Sequence, residues 1–176
     1  MQDKSGNGHH ATQGTAAKRP TYETGLTSFD GVDDALVVPT FTWGSDEITM
    51  IVGVRKLNDA TGIIAEFGAD FTAYGSWYFA KHAAPRTEFS GRGARAGVVG
   101  DAASVPIAAP ETGVYTMSQK INGGTPSRMR RNAGAWAYSV RTDFGGGDFH
   151  SWPLYIGARQ GSTLYSSVYI YGIAIY

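Results

Sequence analysis

Carboxylates, aromatic rings and arginines are the side chains of this sequence whose types and spacing bear on chemistry. Retaining hydrolysis of a glycosidic bond needs two carboxyl groups about 5 Å apart across the scissile linkage. The close acidic pairs, Asp33-Asp34 and Asp46-Glu47, are adjacent in sequence, and adjacent residues of a strand point to opposite faces. No couple of acid and nucleophile emerges. Nucleophilic catalysis fares no better: there is no Gly-x-Ser-x-Gly elbow, the four histidines fall in polar stretches, and His9-His10 is too short for a metal site.

Two binding chemistries stay open. Asp30, Asp33 and Asp34 share one short stretch, and Asp143 and Asp148 flank Gly145-Gly146-Gly147. Hard oxygens of this kind suit calcium, which takes about 6–8 of them, so Asp33, Asp34, Asp143 and Asp148 are the candidate Ca2+ ligands. The competing role is to satisfy turn amides; it is favoured, because a calcium cage would need carboxylates from distant loops. Sugars are the second possibility. The apolar face of a pyranose packs on an exposed aromatic ring while its hydroxyls need polar partners.

Trp136 and Tyr138 alternate with Ala135, Ala137 and Ser139, which puts both rings on one strand face, and His150, Trp152 and Tyr155 follow the glycine-rich turn. Trp136, Tyr138, His150, Trp152 and Arg130 are the candidate carbohydrate-binding residues. The alternative is that the tryptophans belong to the core, their commoner place in a sandwich. Arg128, Arg130 and Arg131 form the one basic cluster, with Arg128 and Arg130 on the same strand face. It reads as a solvated face or as a patch for phosphate or carboxylate.

The elements that position these residues follow from composition and periodicity. A chain of 176 residues, 42% hydrophobic and 17% charged, can bury the core of one domain. Fifteen basic and fifteen acidic side chains cancel, so no net field draws the domain to nucleic acid. Without cysteine there is no disulfide framework and no thiolate metal site. The longest apolar runs, near residues 48–54 and 168–176, fall short of the roughly 20 residues of a membrane-spanning helix, so no membrane span is expected.

Twenty-four glycines and frequent turn residues suit short strands. Ile48, Met50, Val52 and Val54 alternate with Thr49, Ile51, Gly53 and Arg55, the pattern of a central strand with one buried face. Strands are expected at residues 25–29, 35–38, 62–67, 77–80, 87–90, 114–120, 154–156 and 168–176, with residues 91–97 and 102–110 as loop and at most one edge strand. Residues 1–24 read as a polar leader packed on the domain edge, and residues 25–176 as the sandwich.

Phe29-Asp30-Gly31-Val32-Asp33-Asp34 leading into Ala35-Leu36-Val37-Val38-Pro39, then the strand from Ile48, then Leu154-Tyr155-Ile156-Gly157 and the closing strand from Val168 form an ordered set. In that order they resemble the laminin-G-like and pentraxin-like branch of the concanavalin A-like lectin/glucanase superfamily, over roughly residues 24–176. The resemblance implies an all-β jelly-roll sandwich of two antiparallel sheets in which the last strand lies beside the first. It also implies a surface that in most members binds glycans or proteins and in a minority hydrolyses glycans. Hydrolytic members carry a Glu-x-Asp-x-Glu strand, which this sequence lacks.

The leader, Asp3 to Gly8 with Ala11-Thr12-Gln13 and Arg19-Pro20-Thr21-Tyr22, resembles that of bacteriophage and prophage structural proteins, where a larger polypeptide precedes it. The resulting expectation is a non-catalytic recognition or adhesion module of a larger phage virion protein. It would be displayed on a virion or extracellularly, bind a surface glycan, and oligomerise, if at all, through its parent. The alternatives are a capsid or tail decoration domain that contacts only sister virion proteins, and an atypical glycoside hydrolase.

Overall fold

The pattern at residues 48–54 is realised in full. In a computed structural model, which describes residues 1–69, 73–83, 85–92, 102–122, 124, 127–142 and 145–176, Ile48, Met50, Val52 and Val54 are buried while Ile51 is exposed. They lie on the central strand β4 (Glu47–Lys56) of a seven-stranded antiparallel sheet. Its other members are β1 (Thr21–Glu23), β2 (Leu26–Asp30), β9 (Glu111–Lys120), β10 (Arg128–Arg131), β11 (Ala137–Tyr138) and β13 (Ser167–Ile175), in the order β1-β2-β13-β4-β9-β10-β11.

The second sheet has six strands: β3 (Leu36–Thr42), β5 (Gly62–Phe67), β6 (Ser76–His82), β7 (Arg86–Arg92), β8 (Ala103–Val105) and β12 (Ser151–Ile156), in the order β3-β12-β5-β6-β7-β8. The two pack face to face as a jelly-roll sandwich, and there is no α-helix among the described residues. None is therefore long and apolar enough to cross a membrane.

The first and last long strands lie side by side, with Phe29 opposite Val168 and Thr27 opposite Ile170. Phe29 to Asp34 is a corner, because β2 and β3 belong to different sheets. The edge strand within residues 102–110 is β8, which pairs with β7 through Phe89 and Ala103. At one end of the core Trp43, Phe67, Trp77 and Phe149 pack as an aromatic cluster, with Trp43 centroids 5.3–6.1 Å from the other three rings. Aromatic contacts of this offset and edge-on kind add to plain area burial.

Residues 1–24 touch the sandwich at several points. Ala11 is buried in the core cluster, His9 stacks on Phe41 with centroids 4.2 Å apart, and Thr12 forms a two-way backbone bridge to Val37 of β3. Thr21–Glu23 is itself β1, paired with β2.

Strand alternation also buries charge. Lys56 continues the inward series of β4 and is fully buried, as is Lys81 of β6. Lys56 Nζ donates to the Ile107 carbonyl at 2.6 Å and lies 3.2 Å from Asp59. Lys81 Nζ donates to the Asn58 side-chain oxygen and the Ala60 carbonyl, each at 2.6 Å. Burial, and then the neighbouring Lys56 charge, lower the Lys81 ammonium to a pKa of about 8.

Candidate functional site

Inward Met50, Val52, Met117 and Met129 leave their strand neighbours on the outer face of the seven-stranded sheet. Register there aligns Tyr176, just past β13, with Thr49, Ser118, Arg128 and Tyr138 in one row across β4, β9, β10 and β11. The next row runs Ala174, Ile51, Thr116, Arg130. Trp136, just before β11, lies against both rows. The guanidinium carbon of Arg128 is 4.7 Å and that of Arg130 4.5 Å from the centre of its ring.

This arrangement assigns different work to the two rings. Trp136 is half-buried and engaged by two cations, so it holds the guanidinium groups in place. Tyr138 is 56% exposed beside Arg128 and free to pack against a ligand. Arg128 Nε donates to Ser118 Oγ at 2.7 Å, whereas the buried Arg130 Nε has no hydrogen-bond acceptor among the described residues. Neighbouring cations are neutralised: Arg131 pairs with Glu111, and Lys120 with Glu47. A depression of about 260 Å³ between Glu47, Thr49, Ser118 and Arg128 adjoins the row.

His150 and Trp152 stand elsewhere, at the start of β12 in the six-stranded sheet, so the five candidate carbohydrate residues do not form one platform. Trp152 is partly buried against the core, and its indole N–H donates to the Tyr74 carbonyl at 2.8 Å. His150 is fixed through its backbone, donating to the Gly75 carbonyl at 3.0 Å and accepting from Trp43 N–H at 3.2 Å. Trp136, Tyr138 and Arg130 are brought together; the strand-face argument reached the two rings, and the basic cluster supplied the arginine.

The aspartates divide too. Asp30, Asp33 and Asp34 each present a carboxylate oxygen within 4.8 Å of the others. Asp34 accepts from Asp30 N–H at 3.0 Å, and Asp30 accepts from Val32 N–H at 2.8 Å. Burial raises the Asp34 pKa, opposed by that Asp30 amide. Asp148 lies at the other end of the sheet: the next residue, Phe149, bonds to Ser45 just before β4, whereas Asp30 sits beside Ser167 at the end where β4 finishes. Along β4 that is on the order of 30 Å. Asp143 lies outside the described residues. Two of these three carboxylates already hold turn amides, and a calcium ion here would need backbone carbonyls and water to complete its oxygen shell.

Sequence reasoning missed one polar set. Glu66 of β5, Tyr78 of β6 and Glu88 of β7 share the outer face of the six-stranded sheet, opposite the inward Phe67, Phe79 and Phe89. Tyr78 donates to Glu88 at 3.0 Å, His82 and Arg86 also face Glu88, and Glu66 takes the Gln160 amide at 3.1 Å with Arg159 at 3.5 Å. Glu66 sits inside an apolar run, and its position between inward Ala65 and Phe67 was the available signal.

No protein-family model matches this chain, and no curated protein is similar to it in sequence. Solved structures share its fold. The binding domain of botulinum neurotoxin DC in complex with SialylT superposes at a TM-score of 0.69 with 10% identity, covering 99% of this chain and 44% of that one. A heptameric SAP-like pentraxin from Limulus polyphemus gives 0.62 with 11% identity, covering 85% and 74%. Mouse laminin alpha1 domains LG4-5 give 0.56 with 14% identity, covering 89% and 43%. A Trypanosoma rangeli sialidase also contains the fold, at 0.58 and 15% identity over 89% of this chain and 26% of its own. The chain thus spans under half the length of the toxin binding domain and of the laminin structure.

Proposed function

We propose that this domain is a non-catalytic carbohydrate-recognition module. One observation carries the reading: an exposed Tyr138 ring lies in register with the Arg128 guanidinium and the hydroxyls of Ser118 and Thr49 on one open sheet face. An aromatic face beside fixed donors and acceptors is what a pyranose ring needs. Toxin and laminin modules with the same fold support a binding role, since the neurotoxin structure holds SialylT. The leader's resemblance to phage structural proteins supports a larger virion protein as the parent, displaying the module on a virion or extracellularly.

A second reading, a decoration domain docking on sister virion proteins, has its own observation. Tyr171 lies over Gly53, which is level with Val114, and Ile51 adjoins them. This exposed apolar group sits next to the Tyr138 row. A hydrolase reading would draw on Glu66 and Glu88, but each is paired with an arginine, whereas a retaining couple must straddle one bond.

An array of bacterial and host glycans separates the readings. Saturable binding that Tyr138→Ala removes, with the fold intact, is expected. An empty array together with assembly on a virion protein would replace the first reading with the second, and release of reducing ends would establish hydrolysis.

A further inference from the structure

We infer that the glycan this face takes is acidic, its carboxylate or sulfate seated between Arg128 and Arg130; this rests on the recognition reading above. Two like charges held against one indole repel each other. In most proteins such a pair is relieved by a carboxylate, yet neither arginine has one among the described residues, while Arg131 and Lys120 beside them do. The nearest acidic groups on the neighbouring strands, Glu111 and Glu47, are the partners of those two cations.

The hydrogen-bonding inventory points the same way. A guanidinium has five N–H donors in a planar fork. Arg128 directs its Nε to Ser118, which fixes the plane of the group, and the Nε of Arg130 is buried against Trp136, so a ligand is met by the terminal N–H groups of the two forks. Donors remain on both residues. An anionic group is the acceptor that satisfies them best, because charge-assisted bonds from arginine to a planar oxyanion are about twice as strong as neutral ones.

Trp136 makes the site selective for arginine over other cations. Stacking on the indole immobilises each fork before ligand arrives, so less side-chain entropy is lost on binding. Tyr138 packs the sugar ring and the two arginines read its charge. Nucleic acid shares the anionic chemistry, but the face offers one exposed aromatic beside the arginines and the chain has no net positive charge.

The test uses the whole chain and hexasaccharides of hyaluronan, native and with their carboxyls reduced to alcohols, alongside a chondroitin sulfate hexasaccharide, chitohexaose and a six-nucleotide single-stranded DNA. At least one acidic sugar is expected to bind tenfold or more tightly than the neutral ones, with affinity falling as salt rises from 50 to 300 mM. Arg128→Gln with Arg130→Gln should bring acidic and neutral probes to the same affinity, and Trp136→Phe should retain part of the preference. Acidic and neutral sugars binding equally would overturn the charge inference and leave glycan recognition standing. Loss of all sugar binding in the native protein would overturn the recognition reading itself, and DNA binding as tight as the best sugar would reassign the patch to nucleic acid.

Discussion

Phe29 packs directly against the backbone of Gly157. A β-carbon at position 157 would lie 2.2 Å from Phe29 Cδ1 and 2.4 Å from Cε1, and Gly157 has a φ of +88°. The contact joins the β2 corner to the end of β12 and so ties the two sheets together. Gly157→Ala is expected to cost about 2–4 kcal/mol by overpacking and left-handed strain. Phe29→Ala is expected to cost about 3–5 kcal/mol by opening a cavity. Urea denaturation of both variants and of the double variant checks this; the double should lose less than the sum, because relieving the ring removes the clash.

At the same corner, Asp34 is predicted to act as an amide acceptor. Asp34→Asn preserves an oxygen for Asp30 N–H without the buried charge and should be more stable than the wild type at neutral pH, whereas Asp34→Ala should lose about 1–3 kcal/mol relative to Asp34→Asn. Because burial raises the folded Asp34 pKa, the folded state takes up its proton more readily than the unfolded chain. This carboxylate therefore weakens the fold at neutral pH, and the penalty lifts as pH falls through its folded pKa. The gap between wild type and Asp34→Asn should shrink on acidification, and calcium should leave the melting temperature unchanged. A calcium-dependent rise abolished by Asp34→Asn would show a metal site instead.

Lys81 gives a pH dependence of the opposite kind. Its folded pKa is about 8 against 10.5 in a free lysine, so between these values the unfolded chain binds the extra proton. Stability from this group rises as pH climbs from 8 toward 10. Beyond 10 the trend reverses, since burial holds the Tyr115 and Tyr155 phenols protonated in the fold. Denaturation midpoints across pH 8–10 should rise in the wild type and stay flat in Lys81→Met and Lys81→Arg. A flat wild-type profile would contradict the assignment.

Trp152 and Tyr138, two aromatic rings that sequence alone treats alike as sugar-binding candidates, should separate in experiment. Trp152→Ala is expected to lower stability by about 1–3 kcal/mol, chiefly from lost packing against the core, and to leave glycan affinity unchanged. Tyr138→Ala should do the reverse, with a near-neutral effect on the melting temperature and at least tenfold weaker sugar binding. Parallel thermal melts and titrations on the two variants decide it.

The sandwich was legible because its signals are local. Alternation marked β4, the Phe-Asp-Gly corner and the Leu-Tyr-Ile-Gly strand marked the two partners of the Phe29–Gly157 contact, and turn residues bounded most strands. The site was only half legible. Period-two reasoning placed Trp136 with Tyr138 and Arg128 with Arg130, but strand pairing brought the two sets together, and register between β10 and β11 is not written in either segment. The same blindness grouped Asp148 with the corner aspartates and Trp152 with Trp136. Distances along and across a sheet depend on pairing partners far away in the chain. Lys56 and Lys81 escaped notice because charge in a strand reads as an outward face until the acceptors of another loop are seen.

Both margins of the seven-stranded sheet are short, three residues at β1 and two at β11, and offer little template for a foreign strand. The vulnerable border is β3, seven residues long, and Thr12 bridges it at Val37. The segment that looks most dispensable therefore caps this border at one point: a chain trimmed to begin near residue 20 would bare the Val37 amide and carbonyl near the start of the β3 border, where a second molecule could pair.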